Sequence, residues 1–151
     1  MDLHENLKGK TVVITGGSGI LCREFAYAYA KQGMNVAVLG RTLSKLEEVR
    51  DKINELGGNG LAVVCDVVDK DSVINAKKVV NDTFGKVDIL VNGAGGNHPK
   101  GTTTKEYFEK GICIIEWGEL ILDALPENYI KVKILKDKNE ETTRHIQISK
   151  N

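Results

Sequence analysis

Gly17, Ser18, Gly19 and Ile20 sit in the run TVVITGGSGILCREFAYAYAKQG, Thr11 to Gly33. An apolar stretch ends in glycines, and a helix-forming stretch follows. Residues of these types in this order can hold an anion. Glycines let the chain turn tightly, and backbone N–H groups at the start of a helix can then face a pyrophosphate. The spacing is an imperfect G-x-G-x-x-G, because Cys22 occupies the third glycine position. Cysteine is small, so a slightly displaced helix is expected more than a lost site. Three further groups stand at comparable places. Arg41 follows the second apolar stretch, about 20 residues past the loop, where an acidic side chain would grip a ribose 2′-hydroxyl. A guanidinium suits a 2′-phosphate instead, which favours NADP, with NAD as the second choice. Asp66 ends the third stretch and can accept a hydrogen bond from an adenine amino group, with Val67 against the ring. Asn92, Gly93 and Ala94 end the fourth, where small residues leave room for the adenosine ribose.

Proton-handling chemistry is harder to find. Tyr27 and Lys31 spell Y-x-x-x-K, but on the helix directly after the glycine loop. Tyr107 and Lys110 are spaced by three and do not match. No catalytic residue is assigned. His4, His98 and His145 are far apart, and Cys22, Cys65 and Cys113 form no C-x-x-C, so no metal site is expected. Scattered cysteines fit reduced thiols in the cytoplasm. Trp117 reads as a packing anchor.

These residues need elements to position them. Thr11–Thr15, Asn35–Leu39, Gly60–Cys65 and Val87–Val91 are short apolar runs, as buried parallel strands are. Helices are predicted between them. The first runs from Ser18 to Lys31 with Leu21, Phe25 and Ala28 on one apolar face. The second has Ser44 and Glu47 as a capping box and Leu46, Val49 and Ile53 inward. The third is capped by Asp69 or Asp71, with Val73, Ala76, Val80 and Phe84 at helical spacing. Alternating strands and helices imply an α/β fold, a Rossmann-like parallel sheet of order 3-2-1-4 with helices on both faces. A short helix is predicted over Thr103–Lys110, a strand over Ile112–Trp117 and a helical turn over Glu119–Leu125. YIKVKILKD and TRHIQIS alternate apolar and polar residues and predict an antiparallel hairpin at the C-terminal end. Ile112–Trp117 can join the sheet beside the fourth strand, giving order 3-2-1-4-5.

Composition narrows the function classes. The 21 basic and 21 acidic residues cancel, and neither half of the chain is strongly basic, so no nucleic acid or membrane surface is expected as partner. No apolar run is long enough to span a bilayer, and MDLHENLKGK is not a secretory leader. Fourteen of the 16 glycines lie at or before Gly101, so Gly101–Gly111 marks a compositional seam.

TGGSGIL, LGRTLSKLEE, CDV and DILVNGAGG resemble the short-chain dehydrogenase/reductase family over residues ~7–108. The variant loop and GAGGNHPKGTT look most like its fructuronate/mannonate oxidoreductase branch. The resemblance implies a Rossmann fold, a nicotinamide cofactor, and contacts near Gly17, Ser18, Gly19, Arg41, Asp66, Val67, Asn92 and Gly93. It also implies a Ser-Tyr-Lys set on a later strand and helix, which cannot be assembled here. GICIIEWGELILDALPENYIKVKILKDKNEETTRHIQI resembles the C-terminal end of the ATPase family for tRNA threonylcarbamoyladenosine modification. That resemblance would make Glu116 a magnesium-binding residue, but the P-loop it needs is lacking.

The expectation is therefore one domain over residues 1–151, with a truncated dinucleotide-binding half over 1–110 and a grafted strand and hairpin over 111–151. Such a chimera would bind NADP weakly or not at all and lack normal turnover. The alternatives are an active NADP-dependent short-chain oxidoreductase with unconventional catalytic residues, and a non-enzymatic interaction module or recombination product. A homodimer through the sheet edge or an exposed apolar surface is also expected.

Overall fold

The computed structural model describes residues 6–94, 112–115, 128–137, 140 and 142–150. The predicted segments at Thr103–Lys110 and Glu119–Leu125 fall outside them. So do His4, His98, Tyr107, Lys110, Glu116 and Trp117.

The chain order is β1 (Thr11–Thr15), α1 (Ile20–Lys31), β2 (Asn35–Gly40), α2 (Leu43–Glu55), β3 (Asn59–Val64), α3 (Lys70–Phe84) and β4 (Ile89–Asn92). Then come β5 (Ile112–Ile115), β6 (Ile130–Lys136) and β7 (Arg144–Lys150). Strands β1 to β5 form one parallel sheet of order β3-β2-β1-β4-β5. Strands β6 and β7 form a separate antiparallel hairpin. The α/β architecture and the hairpin are those the sequence implies.

The pleat sends alternate residues of the central strands to opposite faces. Val12 and Ile14 of β1, Val36 and Val38 of β2, and Ile89 and Val91 of β4 pack with α1 and α2. Val13, Ala37, Leu39 and Leu90 pack with Ala76 and Val80 of α3 on the other face. Both faces are covered, so these strands read as continuous apolar runs and not as alternating ones. Each fully buried aliphatic side chain stabilises the sheet by about 1.5–3 kcal/mol.

Two helix expectations are corrected. The buried residues of α1 are Cys22, Ala26 and Ala30, whereas Leu21, Phe25 and Ala28 are exposed. Small side chains every fourth residue let α1 lie close to the sheet, and size was mistaken for burial. Helix α2 is capped at Thr42 with no side-chain hydrogen bond, so Ser44 and Glu47 form no capping box. Its inward face, Leu46, Val49 and Ile53, is as expected. In α3, Asp69 is the cap and its side chain accepts from the Asp71 N–H at 3.0 Å.

Candidate functional site

The C-terminal ends of β1 to β4 lie along one edge of the sheet, because all four strands run parallel. The β1–α1 turn is shaped there by two glycines. Gly16 adopts φ +64, and a Cβ on it would stand 2.6 Å from the Gly93 carbonyl oxygen. A Cβ on Gly17 would stand 2.6 Å from the Val38 Cβ of β2. Gly17 N–H donates to the Leu39 carbonyl at 3.0 Å, and Gly19 N–H to the Gly16 carbonyl at 2.8 Å. The turn is thus pressed against β2 on one side and the end of β4 on the other. Ser18 is half-buried, while Gly19 and Ile20 are exposed. Gly19 caps α1 and no side chain satisfies the N–H groups of its first turn. A helix start of this kind presents backbone N–H groups that suit an anion.

Arg41, just past β2, is exposed and forms no ion pair or hydrogen bond among the described residues. Asp66 is half-buried. One of its carboxylate oxygens accepts from the Val68 N–H at 3.1 Å, and its own N–H donates to the Ser72 hydroxyl at 3.0 Å. Asp66 therefore shapes its turn and leaves its second oxygen without a hydrogen bond among the described residues. Val67 packs against the core on the α3 side. Asn92, Gly93 and Ala94 are half-buried.

Thr15 and Gly16 were missed by sequence reading. The Thr15 hydroxyl accepts from the N–H groups of Gly93 and Ala94 at 3.2 and 3.3 Å, and donates to Asn92 Oδ1 at 3.5 Å. It ties the end of β1 to the end of β4 and sets the backbone of Asn92–Ala94. The available signal was a hydroxyl ending an otherwise aliphatic run, next to a glycine. A cavity of about 80 Å³ opens beside these residues on the α3 face, reaching Thr15 and Asn92 and lined otherwise mainly by Val13, Val80, Val87 and Leu90. Cys65 also lines it, and burial pushes its thiol above the ordinary value.

Tyr27 is half-buried and packs against the core under α1 and α2, and Lys31 is exposed. Neither Cys22 nor Cys65 is disulfide-bonded. No helix among the described residues is long and apolar enough to cross a membrane.

A parallel sheet of this order, with a glycine turn and an uncapped helix start at its ligand-binding edge, defines a dinucleotide-binding Rossmann protein. The chain belongs to the short chain dehydrogenase family, which matches residues 10–114. It is 51% identical over 108 residues to the uncharacterized oxidoreductase UxuB of Bacillus subtilis, covering 72% of this chain and 39% of that protein. It is 36% identical over 94 residues to the 7alpha-hydroxysteroid dehydrogenase of Escherichia coli, covering 62% and 37%. Among solved structures, NAD+-bound xylitol dehydrogenase is similar at a TM-score of 0.58 and 32% identity, over 60% of this chain and 35% of that one. A Haemophilus influenza protein with bound NAD matches at 0.59 and 34%, over 70% and 39%. The chain spans less than half the length of each of these relatives.

The family match overturns the expected fusion. It runs unbroken through residue 114, across the seam at Gly101–Gly111 and into ICII. Ile112–Ile115 pairs in parallel register with Ile89–Asn92 of β4, so it is the fifth strand of the same sheet. The assignment of residues 111–148 to a tRNA-modification ATPase fragment was wrong: the strand-and-hairpin pattern of that tail is common to many α/β proteins, and its first strand belongs to this sheet. The expectation of a truncated, chimeric protein without normal turnover depended on that foreign origin and falls with it.

Proposed function

We propose that this chain is an NADP-dependent oxidoreductase of the short chain dehydrogenase class, acting on a small hydroxylated substrate of the sugar-acid type. The observation that carries the reading is the convergence of Gly17–Ile20, Arg41, Asp66–Val67 and Asn92–Ala94 on the one sheet edge. The N–H groups opening α1 would hold the pyrophosphate. Arg41 would pair with the 2′-phosphate, and its lack of a partner among the described residues supports that role. The second carboxylate oxygen of Asp66 would accept from the adenine amino group, with Val67 against the ring. Asn92, Gly93 and Ala94 would border the adenosine ribose. The bound dinucleotide would accept or supply a hydride. The alcohol proton would be handled by a group other than Tyr27 and Lys31. The sugar-acid substrate class is supported by the variant glycine loop, and the cytoplasm is the compartment proposed.

Calorimetric titration with NADP and NAD tests the cofactor reading. Arg41→Ala is expected to weaken NADP about tenfold and leave NAD unchanged. Two of the similar structures carry NAD, so equal loss for both cofactors would move the assignment to NAD. Absence of binding by either cofactor would remove the reading altogether. Turnover is tested by nicotinamide absorbance with a panel of sugar acids. We also propose a homodimer through the β5 edge or the exposed apolar surface, which sedimentation at two concentrations would detect.

A further inference from the structure

The third glycine position of the loop holds Cys22, and the structure shows what that substitution does. Cys22 lies in the first turns of α1 and is only 3% exposed. Its Sγ faces the backbone of Gly93, directly after β4. A Cβ built on Gly93 would overlap that sulfur. The same Cβ would lie 3.1 Å from the Thr15 carbonyl oxygen, a contact that yields with a small shift. Gly93 is closed in from the other side too, since its carbonyl oxygen abuts Gly16. Its N–H is held by the Thr15 hydroxyl. The backbone of Gly93 is therefore held between the glycine turn and the thiol.

We infer that Cys22 is a positioning residue, whose thiol sets the separation between the start of α1 and the Asn92–Ala94 segment. Residues 22 and 93 are coupled by size through the sulfur: the thiol at 22 leaves no room for a Cβ at 93, whereas the Cys22 Cβ would stand 3.7 Å from it, an ordinary contact. A glycine at 22 would leave this space empty, and α1 would settle toward β4. The thiol keeps the helix start at a fixed offset from the strand ends that would border the ribose. Positional errors of this kind act on ligand affinity more than on the fold, because a pyrophosphate must meet several donors at once. The functional part of this inference depends on the dinucleotide-binding reading above, whereas the packing part does not.

Four variants of the full chain test it: Cys22→Ala, Cys22→Gly, Gly93→Ala, and the double variant Cys22→Gly with Gly93→Ala. Each is followed by thermal melting and by calorimetric titration with NADP and NAD. Gly93→Ala alone is expected to lower the melting temperature and weaken nucleotide binding by at least about tenfold. Adding Cys22→Gly should recover most of both losses. Cys22→Ala should fold and melt cooperatively, yet bind the nucleotide several-fold more weakly. This split between affinity and stability is what a purely structural thiol would not give. A double variant no better than Gly93→Ala alone would overturn the size coupling. Unchanged affinity in Cys22→Ala would overturn the positioning role. If the parent chain binds neither nucleotide while melting still shows rescue, the dinucleotide reading fails together with the positioning role, and the packing pair stands.

Discussion

The sheet formed by β1 to β4 and the hairpin of β6 and β7 use similar residues to opposite effect. In β1 and β2, Val12, Ile14, Val36 and Val38 are completely buried. In the hairpin, Ile130, Val132, Ile134, Ile146 and Ile148 are 54–71% exposed. The register pairs Val132 with Ile148 and Ile134 with Ile146, so these residues share one face. Among the described residues no element covers that face, and a two-stranded hairpin by itself is marginal in water. β-branched side chains therefore favour extended backbone in both regions, but only where helices cover them does burial add stability. The candidate site lies at the edge of the covered region, where pairing and burial hold the strands.

Matched substitutions sharpen this comparison. Ile14→Ala is expected to lower unfolding free energy by about 3 kcal/mol in urea melts. Next comes Gly16→Ala, which forces a side chain into positive φ and against the Gly93 carbonyl. A loss of about 2 kcal/mol, with dinucleotide binding abolished, is expected from chemical denaturation and calorimetry. A normally stable Gly16→Ala would show that the turn is looser than its geometry indicates. Asp69→Ala removes the α3 cap and should cost about 1 kcal/mol.

Asp88 gives a smaller, pH-marked effect within the covered region. The Thr11 N–H, which donates to it at 3.0 Å, holds its carboxyl below the usual range, aided by Lys86 at 3.1 Å and Lys10 at 3.8 Å. A lowered folded pKa stabilises above the unfolded value, about 3.9, and that contribution is lost as pH falls through the folded pKa. The melting-temperature gap between the parent and Asp88→Asn should be open at neutral pH and close in acid. A gap that stays constant across that range would exclude the assignment. Ile148→Ala in the hairpin is expected to change stability least, by under about 0.5 kcal/mol. A loss as large as that of Ile14→Ala would mean that the two regions do not differ as described.

Much of the site could be read before the fold was known. Gly17, Ser18, Gly19, Arg41, Asp66 and Asn92 each follow an apolar run, and parallel strands bring run ends to one edge. What could not be read involved packing between elements distant in sequence. Thr15 meets Gly93 and Ala94 across 78 and 79 residues. The inward face of α1 was misassigned because close approach to a sheet selects small residues, and periodicity alone does not reveal that distance. The origin of the segment after Gly111 was misread because its resemblance rested on a strand-and-hairpin pattern, which many α/β proteins share, without the P-loop that defines the other family.

By itself the sequence determined the alternation of strands and helices, since apolar runs and glycine turns act over a few residues. It also determined the glycine loop and the charge of Arg41, which are local chemistry. The fifth strand beside the fourth was also legible, and the structure bears it out; only the tertiary structure decided that Thr15 and Gly16 join the candidate site and that Cys22 fits against Gly93. Those outcomes depend on which backbone segments meet across the sheet, and hard-core contact between them is not encoded at any single position.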